Sequence, residues 1–191
     1  MICFMFTNRV IYVIINRKNK GNPPIMIKCI LFDRDGTLGE LSDVRFPETF
    51  RPFTDIKTVF SALHTKGYLV GIITNQSSIA RGTAKGYYYA AEFASYGVDV
   101  WKICPHDNGD NCNCRKPKSG LLLAAAKELN ISPSECLVVG DRLSDILCAK
   151  NVGASAALVL TGYGEKEKDN VLLSYPETPT LARFDKILDI L

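Results

Sequence analysis

The 191 residues are 47% hydrophobic and 23% charged, a composition typical of a soluble protein with enough length to bury a core. The net charge is only +3 and is not gathered into a basic block, so charge does not indicate a nucleic-acid partner. No apolar run reaches the roughly 18 to 20 residues that a membrane span requires, and we expect no membrane partner.

Residues 1–25 differ in character from the rest of the chain. An apolar stretch over 1–15 precedes the basic stretch 16–20, whereas a signal peptide carries its positive charge before the apolar part. We interpret 1–25 as an N-terminal extension, with Met26 as the natural start and 26–191 as one domain. A tail that lies on a membrane surface is the alternative.

Short apolar runs alternate with amphipathic stretches along residues 26–191. The runs predict buried strands at 27–32, 68–73, 98–103, 136–139 and 156–160. Helices are predicted at 54–66, with Thr54 as the N-cap, and at 84–96, 121–130 and 143–151. A last amphipathic helix is predicted between Leu181 and Leu191. This alternation predicts the α/β class, as a doubly wound parallel sheet in a single domain.

Carboxylates follow two of the predicted strands. Asp33 and Asp35 come directly after the first strand, and Asp141 and Asp145 follow the fourth. Because ligands bind beyond the carboxyl ends of parallel strands, we expect these acids to share a site. Asp33 suits the role of nucleophile and metal ligand, and Asp35 that of acid or base. Asp33 and Asp141 together would hold a hard cation such as Mg²⁺, which offsets repulsion between anionic groups.

Phosphate-binding groups follow the other two strands. Thr74, with the backbone amides of Asn75 and Gln76, offers hydrogen bonds to phosphoryl oxygens after the second strand. Lys116, in the loop after the third strand, would neutralise charge on the transferring group. A plain turn and a solvated lysine would explain each alone, but the ordered set favours a phosphate site.

A polar loop carries a cluster of metal-ligand residues. Cys104, His106, Cys112 and Cys114 have the spacing of a closed tetrahedral Zn²⁺ site, and a redox-active thiol switch is the alternative. Four protein ligands leave no open position, so the zinc would be structural and would fix the two basic residues after Cys114. This use of cysteine indicates a reducing, cytoplasmic environment.

The set of motifs resembles the haloacid dehalogenase-like (HAD) phosphatase superfamily. The resemblance implies that Asp33 attacks phosphorus to form an aspartyl-phosphate, and that Asp35 protonates the leaving oxygen and then deprotonates water. It implies that Mg²⁺ is bound by Asp33, the backbone carbonyl of Asp35 and Asp141, with Asp145 in support. The motifs that carry it are Asp33-Arg34-Asp35-Gly36-Thr37, Thr74, Lys116 and Gly140-Asp141-Arg142-Leu143-Ser144-Asp145.

The zinc loop narrows the resemblance to one capless branch. Its string Cys-Pro-His…Cys-x-Cys-Arg-Lys-Pro-Lys is similar to the branch that contains D-glycero-D-manno-heptose 1,7-bisphosphate phosphatase and histidinol-phosphate phosphatase. The resemblance implies that Asn75, Gln76, Arg115 and Lys116 contact the substrate or its phosphate. The stretch 39–43 and the short spacing inside the zinc loop depart from the heptose enzymes' pattern.

These observations favour a Mg²⁺-dependent phosphomonoesterase in carbohydrate metabolism. Its partner would be a small phosphorylated sugar or metabolite, with heptose 1,7-bisphosphate first and histidinol phosphate second. A non-catalytic, zinc-stabilised interaction module is the alternative from another class, and it predicts that a catalytic acid is missing. We expect a monomer or a small homo-oligomer.

Overall fold

Six parallel strands form a single sheet in the part of the chain that the computed structural model describes, residues 26–41 and 49–191. The interpretation of 1–25 as an extension lies outside these residues. The order across the sheet is β3-β2-β1-β4-β5-β6. The strands are β1 (Cys29–Phe32), β2 (Leu69–Asn75), β3 (Val100–Cys104), β4 (Cys136–Gly140), β5 (Ser155–Val159) and β6 (Thr180–Leu181).

Helices connect the strands and cover both faces of the sheet, which confirms the predicted α/β class. Within the described residues, short 3₁₀ segments lie at Asn108–Asp110, Pro133–Glu135 and Phe184–Asp189. No helix among the described residues is long and apolar enough to cross a membrane. The α-helices are α1 (Ile56–Thr65), α2 (Ser77–Ala80), α3 (Gly86–Ser95), α4 (Gly120–Glu128), α5 (Leu143–Lys150) and α6 (Gly164–Ser174).

The core is split by the sheet into two layers, because successive side chains of a strand point to opposite faces. In β1, Ile30 and Phe32 pack on the side of α1, α3 and the C-terminal 3₁₀ segment. Cys29 and Leu31 pack on the opposite side, with α4, α5 and α6. The central strands are therefore buried on both faces, which explains their continuous apolar runs.

The order of the strands changes direction between β1 and β4. Strands β2 and β3 follow β1 on one side, and β4 then pairs with the other side of β1, with Phe32 opposite Val139. The Asp33 amide continues this pairing by donating to the Val139 carbonyl at 2.9 Å. Such a switch point opens a crevice at the strand ends, so the residues after β1 and β4 face one another there.

Two predictions about the elements were wrong, and helix α6 was not predicted. Asp55, not Thr54, caps α1, and its carboxylate accepts from the Lys57 amide at 3.1 Å. The predicted last helix is a two-residue strand, in which Leu181 pairs with Val159, followed by a 3₁₀ segment. Helix α6 was missed because Val171 is its one buried side chain with apolar character, so the sequence shows no helical period there.

Candidate active site

Three carboxylates converge at the crevice between β1 and β4. One oxygen from each carboxylate lies within 4.8 Å of the other two, and all three residues are buried. Asp33 follows β1 and Asp141 follows β4, while Asp145 lies in the first turn of α5. Asp145 Oδ2 accepts from the Arg142 amide at 3.1 Å, which fixes its orientation at the helix start.

Lys116 inserts its ammonium group between two of these acids. Its Nζ lies 2.7 Å from Asp33 Oδ1 and 2.7 Å from Asp145 Oδ1, and it also donates to the Ile73 carbonyl at 2.9 Å. The Lys116 side chain is only 2% exposed. The two neighbouring carboxylates raise its pKa despite burial, so the lysine carries its charge.

The acid cluster carries more negative charge than Lys116 balances. Burial, and then the negative charges of Asp33 and Asp145, raise the pKa of Asp141 to about 8. Burial is also the main cause that raises the pKa of Asp145 to about 6. A buried cluster of oxygen ligands with excess negative charge suits a hard divalent cation, so these residues fit the predicted Mg²⁺.

A loop that follows β5 completes the site, and sequence reasoning missed it. Thr161 Oγ1 donates to the Gly36 carbonyl at 2.6 Å, and the Tyr163 amide donates to Asp141 Oδ2 at 2.8 Å. Gly36 and Gly162 both have positive φ, and a Cβ on either would meet Asp141 Oδ2 at 2.2 Å. Only glycine fits where two backbones approach a carboxylate so closely. The Gly162-Tyr163-Gly164 pattern after a predicted strand was the available signal.

Asp35 is bound at both oxygens of its carboxylate. Arg34 Nη1 donates to Oδ1 at 2.7 Å, and Gln76 Nε2 donates to Oδ2 at 2.6 Å. Burial is the main cause that raises the pKa of Asp35, and Asp33 adds to it, against the lowering by the Arg34 guanidinium and the Gln76 amide. A raised pKa suits a group that must hold a proton at neutral pH.

The residues predicted to follow the second strand are also at the site, where Thr74 and Asn75 end β2 and Gln76 follows, but all three side chains have partners of their own. Thr74 is 1% exposed, and its Oγ1 accepts from Gln76 Nε2 at 3.0 Å. Asn75 Nδ2 donates to the Lys116 carbonyl and its Oδ1 accepts from the Lys116 amide, both at 3.1 Å. The Asn75 side chain thus holds the lysine backbone, and its predicted substrate contact stays a prediction.

The four predicted zinc ligands form a compact cluster. The three sulfur atoms lie 3.3 to 3.6 Å apart, and His106 Nδ1 lies 3.2 Å from Cys114 Sγ. Tetrahedral Zn–S bonds of about 2.3 Å place sulfurs about 3.8 Å apart, so the cluster fits zinc. Cys104, Cys112 and Cys114 are free thiols rather than disulfides.

A cavity of about 320 Å³ opens between the zinc cluster and Lys116. Arg115 and Lys118 contribute positive charge to its walls. Arg115 Nη1 donates to the His106 carbonyl at 3.2 Å, and Lys118 Nζ donates to the Cys112 carbonyl at 2.7 Å. The zinc loop thereby fixes the positions of both cations in the wall of this cavity.

Comparisons with known proteins agree with this site. The HAD-hydrolase-like family model matches residues 113–189. A D-glycero-beta-D-manno-heptose-1,7-bisphosphate 7-phosphatase of Pasteurella multocida is 36% identical, over 83% of this chain and 98% of the relative. The enzyme of the same name from Haemophilus ducreyi is 34% identical, over 77% of this chain and 93% of the relative.

A solved structure extends the agreement to three dimensions. D,D-heptose 1,7-bisphosphate phosphatase from B. bronchiseptica, complexed with magnesium and phosphate, superposes with a TM-score of 0.76 at 29% identity. The match covers 85% of this chain and 97% of that one. The chain belongs to the HAD-like hydrolase superfamily, and the resemblance predicted from its motifs is confirmed. The relatives named above are heptose bisphosphate phosphatases within that superfamily.

Proposed function

We propose that the protein is a Mg²⁺-dependent phosphomonoesterase that acts through an aspartyl-phosphate on D-glycero-D-manno-heptose 1,7-bisphosphate. The observation that carries the proposal is the convergence of Asp33, Asp141, Asp145 and Lys116 at one crevice. Relatives at 34–36% identity that bear the heptose phosphatase name support the choice of substrate.

The chemistry proceeds in two transfers at one phosphorus. In the first, an Asp33 oxygen bonds to phosphorus, the bond to the sugar oxygen breaks, and Asp35 gives its proton to that oxygen. In the second, Asp35 takes a proton from water, the water oxygen bonds to phosphorus, and the bond to Asp33 breaks. Asp35 ends protonated as it began, so each cycle consumes one water and releases one phosphate.

The cations of the site balance the charge of the phosphoryl group. Lys116, already 2.7 Å from Asp33, also lies where it can neutralise the group that Asp33 attacks. Asp33, the backbone carbonyl of Asp35 and Asp141 would hold Mg²⁺, with Asp145 in support. The ion when bound supplies Lewis-acid charge stabilisation to phosphoryl oxygens. Thr74 and the amides of Asn75 and Gln76 are proposed to donate to the same oxygens.

The substrate would extend from the acid cluster into the cavity beside the zinc loop. Arg115 and Lys118 make that cavity cationic, which suits a sugar with a second phosphate. We place the reaction in the cytoplasm, since free thiols for a structural zinc need a reducing compartment. Residues 26–191 would form the phosphatase domain, as a monomer or small homo-oligomer.

The test is phosphate release with Mg²⁺ over a panel of both heptose 1,7-bisphosphate anomers, histidinol phosphate and other sugar phosphates. Heptose bisphosphate should show a kcat/KM of about 10⁴ M⁻¹s⁻¹ or more, well above the others. Equal, slow turnover of every compound would refute the substrate and leave the chemistry intact. Phosphate release no faster than that of the Asp33→Asn variant would support the non-catalytic module.

Replacing the proposed nucleophile supplies the blank for that panel. Asp33→Asn removes the nucleophilic oxygen while keeping the size of the side chain, so turnover should fall to the background rate. Circular dichroism and the melting temperature should show a folded protein. Activity near the wild-type level in Asp33→Asn would exclude Asp33 as the nucleophile.

A further inference from the structure

Arg34 is a buried cation that connects the proposed general acid to a distant helix. Its side chain is 4% exposed, and its three guanidinium nitrogens all donate to carboxylates. Nε and Nη2 donate to the two Glu92 oxygens at 2.9 and 2.7 Å, and Nη1 donates to Asp35 Oδ1 at 2.7 Å. Arg34 therefore bridges the end of β1 to α3, which carries Glu92.

The residues around this bridge hold the Arg34 side chain in one conformation. The Glu92 side chain is 8% exposed, and its Oε1 also accepts from the Tyr96 hydroxyl at 3.1 Å. The Arg34 guanidinium lies over the Phe50 ring, 3.9 Å from the ring centre. Packing on one side and a forked pair on the other fix the plane of the guanidinium, because a bidentate pair restricts rotation as well as distance.

The bridge determines the orientation of the Asp35 carboxyl. With Arg34 on Oδ1 and Gln76 on Oδ2, neither oxygen is free to rotate away from the crevice. A carboxyl that delivers a proton to a leaving oxygen must lie within hydrogen-bond reach of it, and small misplacements are costly. Compared with well-packed apolar residues of similar size, a buried ion pair contributes little net stability, so stability alone does not account for this pair.

We propose that Arg34 and Glu92 are a pair of positioning residues, which hold the Asp35 carboxyl for proton transfer to the leaving oxygen. The proposal rests on the proposed phosphatase function. Glu92 acts through Arg34, and neither residue needs to touch the substrate. Loss of the pair should therefore impair the reaction in proportion to its need for a proton.

Two substrates with different leaving groups separate a positioning role from a structural one, because a structural defect would lower activity on both. A sugar alkoxide must be protonated as it departs, whereas p-nitrophenolate is a much weaker base and departs without a proton. The experiment compares kcat/KM, which reports the first transfer, for heptose bisphosphate and p-nitrophenyl phosphate. It uses the wild type, Arg34→Lys, Glu92→Gln and the double variant. Arg183→Lys is the control, because Arg183 forms a similar forked pair with Asp185, which is not among the site residues.

Arg34→Lys keeps the charge and loses the fork. Its kcat/KM for the sugar phosphate should fall about 10- to 100-fold, the scale of general acid catalysis, while that for p-nitrophenyl phosphate stays within about threefold. Glu92→Gln should show the same selectivity with a smaller loss. The double variant should resemble Arg34→Lys alone, since the two residues act as one unit. The control should match the wild type on both substrates.

Equal losses on both substrates, or no loss on the sugar phosphate, would overturn the proposal. If Arg34→Lys fails to fold, Glu92→Gln, which keeps the arginine and the side-chain size, decides the matter. A wild type that hydrolyses p-nitrophenyl phosphate but not heptose bisphosphate refutes only the substrate, and the comparison is then made with glucose 6-phosphate. A wild type inactive on all three refutes the phosphatase function itself.

Discussion

At the scale of single residues, Lys116 is the group on which the acid cluster depends. It is buried between Asp33 and Asp145, at 2.7 Å from each, and the Asp145 side chain is 1% exposed. The Asn75 amide holds its backbone in place through two hydrogen bonds. Stability and charge balance at this site therefore depend on the same side chain.

Lys116→Met should lower the free energy of unfolding by about 3 to 5 kcal/mol, because it leaves buried carboxylates without their cation. Phosphatase activity should be lost as well. Urea unfolding in EDTA measures the first effect. Lys28→Met is the control, since the Lys28 side chain in its pair with Glu135 is 46% exposed, and its loss should cost within about 1 kcal/mol. Equal costs for the two variants would contradict this account.

At the scale of elements, the zinc loop carries the basic residues of the site. Cys112→Ser should abolish zinc binding and lower the melting temperature by about 4 to 8 °C. In a protein of this size, that shift corresponds to a loss of about 2 kcal/mol in the free energy of unfolding. Activity should fall too, because Lys116 follows the cluster directly. Metal analysis and calorimetry measure these effects.

Cys136→Ala provides the matched control for the zinc loop. Cys136 is buried in β4, away from the four-ligand cluster, so this variant should retain its zinc. A Cys112→Ser protein with unchanged zinc content and melting temperature would exclude the zinc site and favour the thiol switch. Loss of zinc from both variants would indicate a fold effect instead.

A second prediction at the scale of an element concerns Gly162, in the loop after β5. An alanine Cβ at Gly162 would meet Asp141 Oδ2 at 2.2 Å and Gly36 Cα at 2.5 Å. Gly162→Ala should therefore displace Asp141 and raise the Mg²⁺ concentration for half-maximal activity roughly tenfold, about 1.4 kcal/mol of binding. Titration of activity with Mg²⁺ measures the change.

Gly97→Ala separates this displacement from backbone strain. Gly97 also has positive φ, but a Cβ there would meet nothing within 4 Å. This variant should lose about 1 kcal/mol of stability and keep the wild-type Mg²⁺ dependence. If both variants need the same Mg²⁺ concentration as the wild type, the loop does not support the metal ligand.

At the scale of the whole molecule, the switch point couples stability to metal and pH. Its buried acids follow β1 and β4 or lie in the first turn of α5, so their repulsion opposes the pairing of the central strands. The pKa of Asp141 is about 8 in the folded protein against 3.8 for the free group. The folded state therefore keeps a proton that the unfolded chain releases.

The metal-free protein should therefore become less stable as the pH rises from about 4 to about 8. Over this range the folded state keeps on Asp141 a proton that the unfolded chain has released. Mg²⁺ replaces the proton, so it should stabilise the protein more at pH 8 than at pH 5. At pH 8 and a hundredfold excess of Mg²⁺ over its Kd, the stabilisation should be about 2.7 kcal/mol. Thermal unfolding with Mg²⁺ or EDTA at several pH values measures the difference. Asp141→Asn should largely remove the pH dependence of the Mg²⁺ effect, and an Mg²⁺ effect that falls with pH would refute the account.

The sequence by itself determined the α/β class, five of the six strands and the residues at their ends. These features are local, since an apolar run followed by Asp, Thr or Lys is visible within ten residues. It also predicted which four Cys and His side chains cluster, because all four lie within residues 104–114. The short β6 and the polar α6 left no such local pattern.

Only the tertiary structure decided how the site residues are held. Glu92 reaches Arg34 across 58 residues, Asn75 holds Lys116 across 41, and Thr161 contacts Gly36 across 125. No spacing in the chain indicates these pairs, because the order of strands in the sheet creates them. The sequence predicts which groups carry the chemistry, and the topology determines which neighbours orient them.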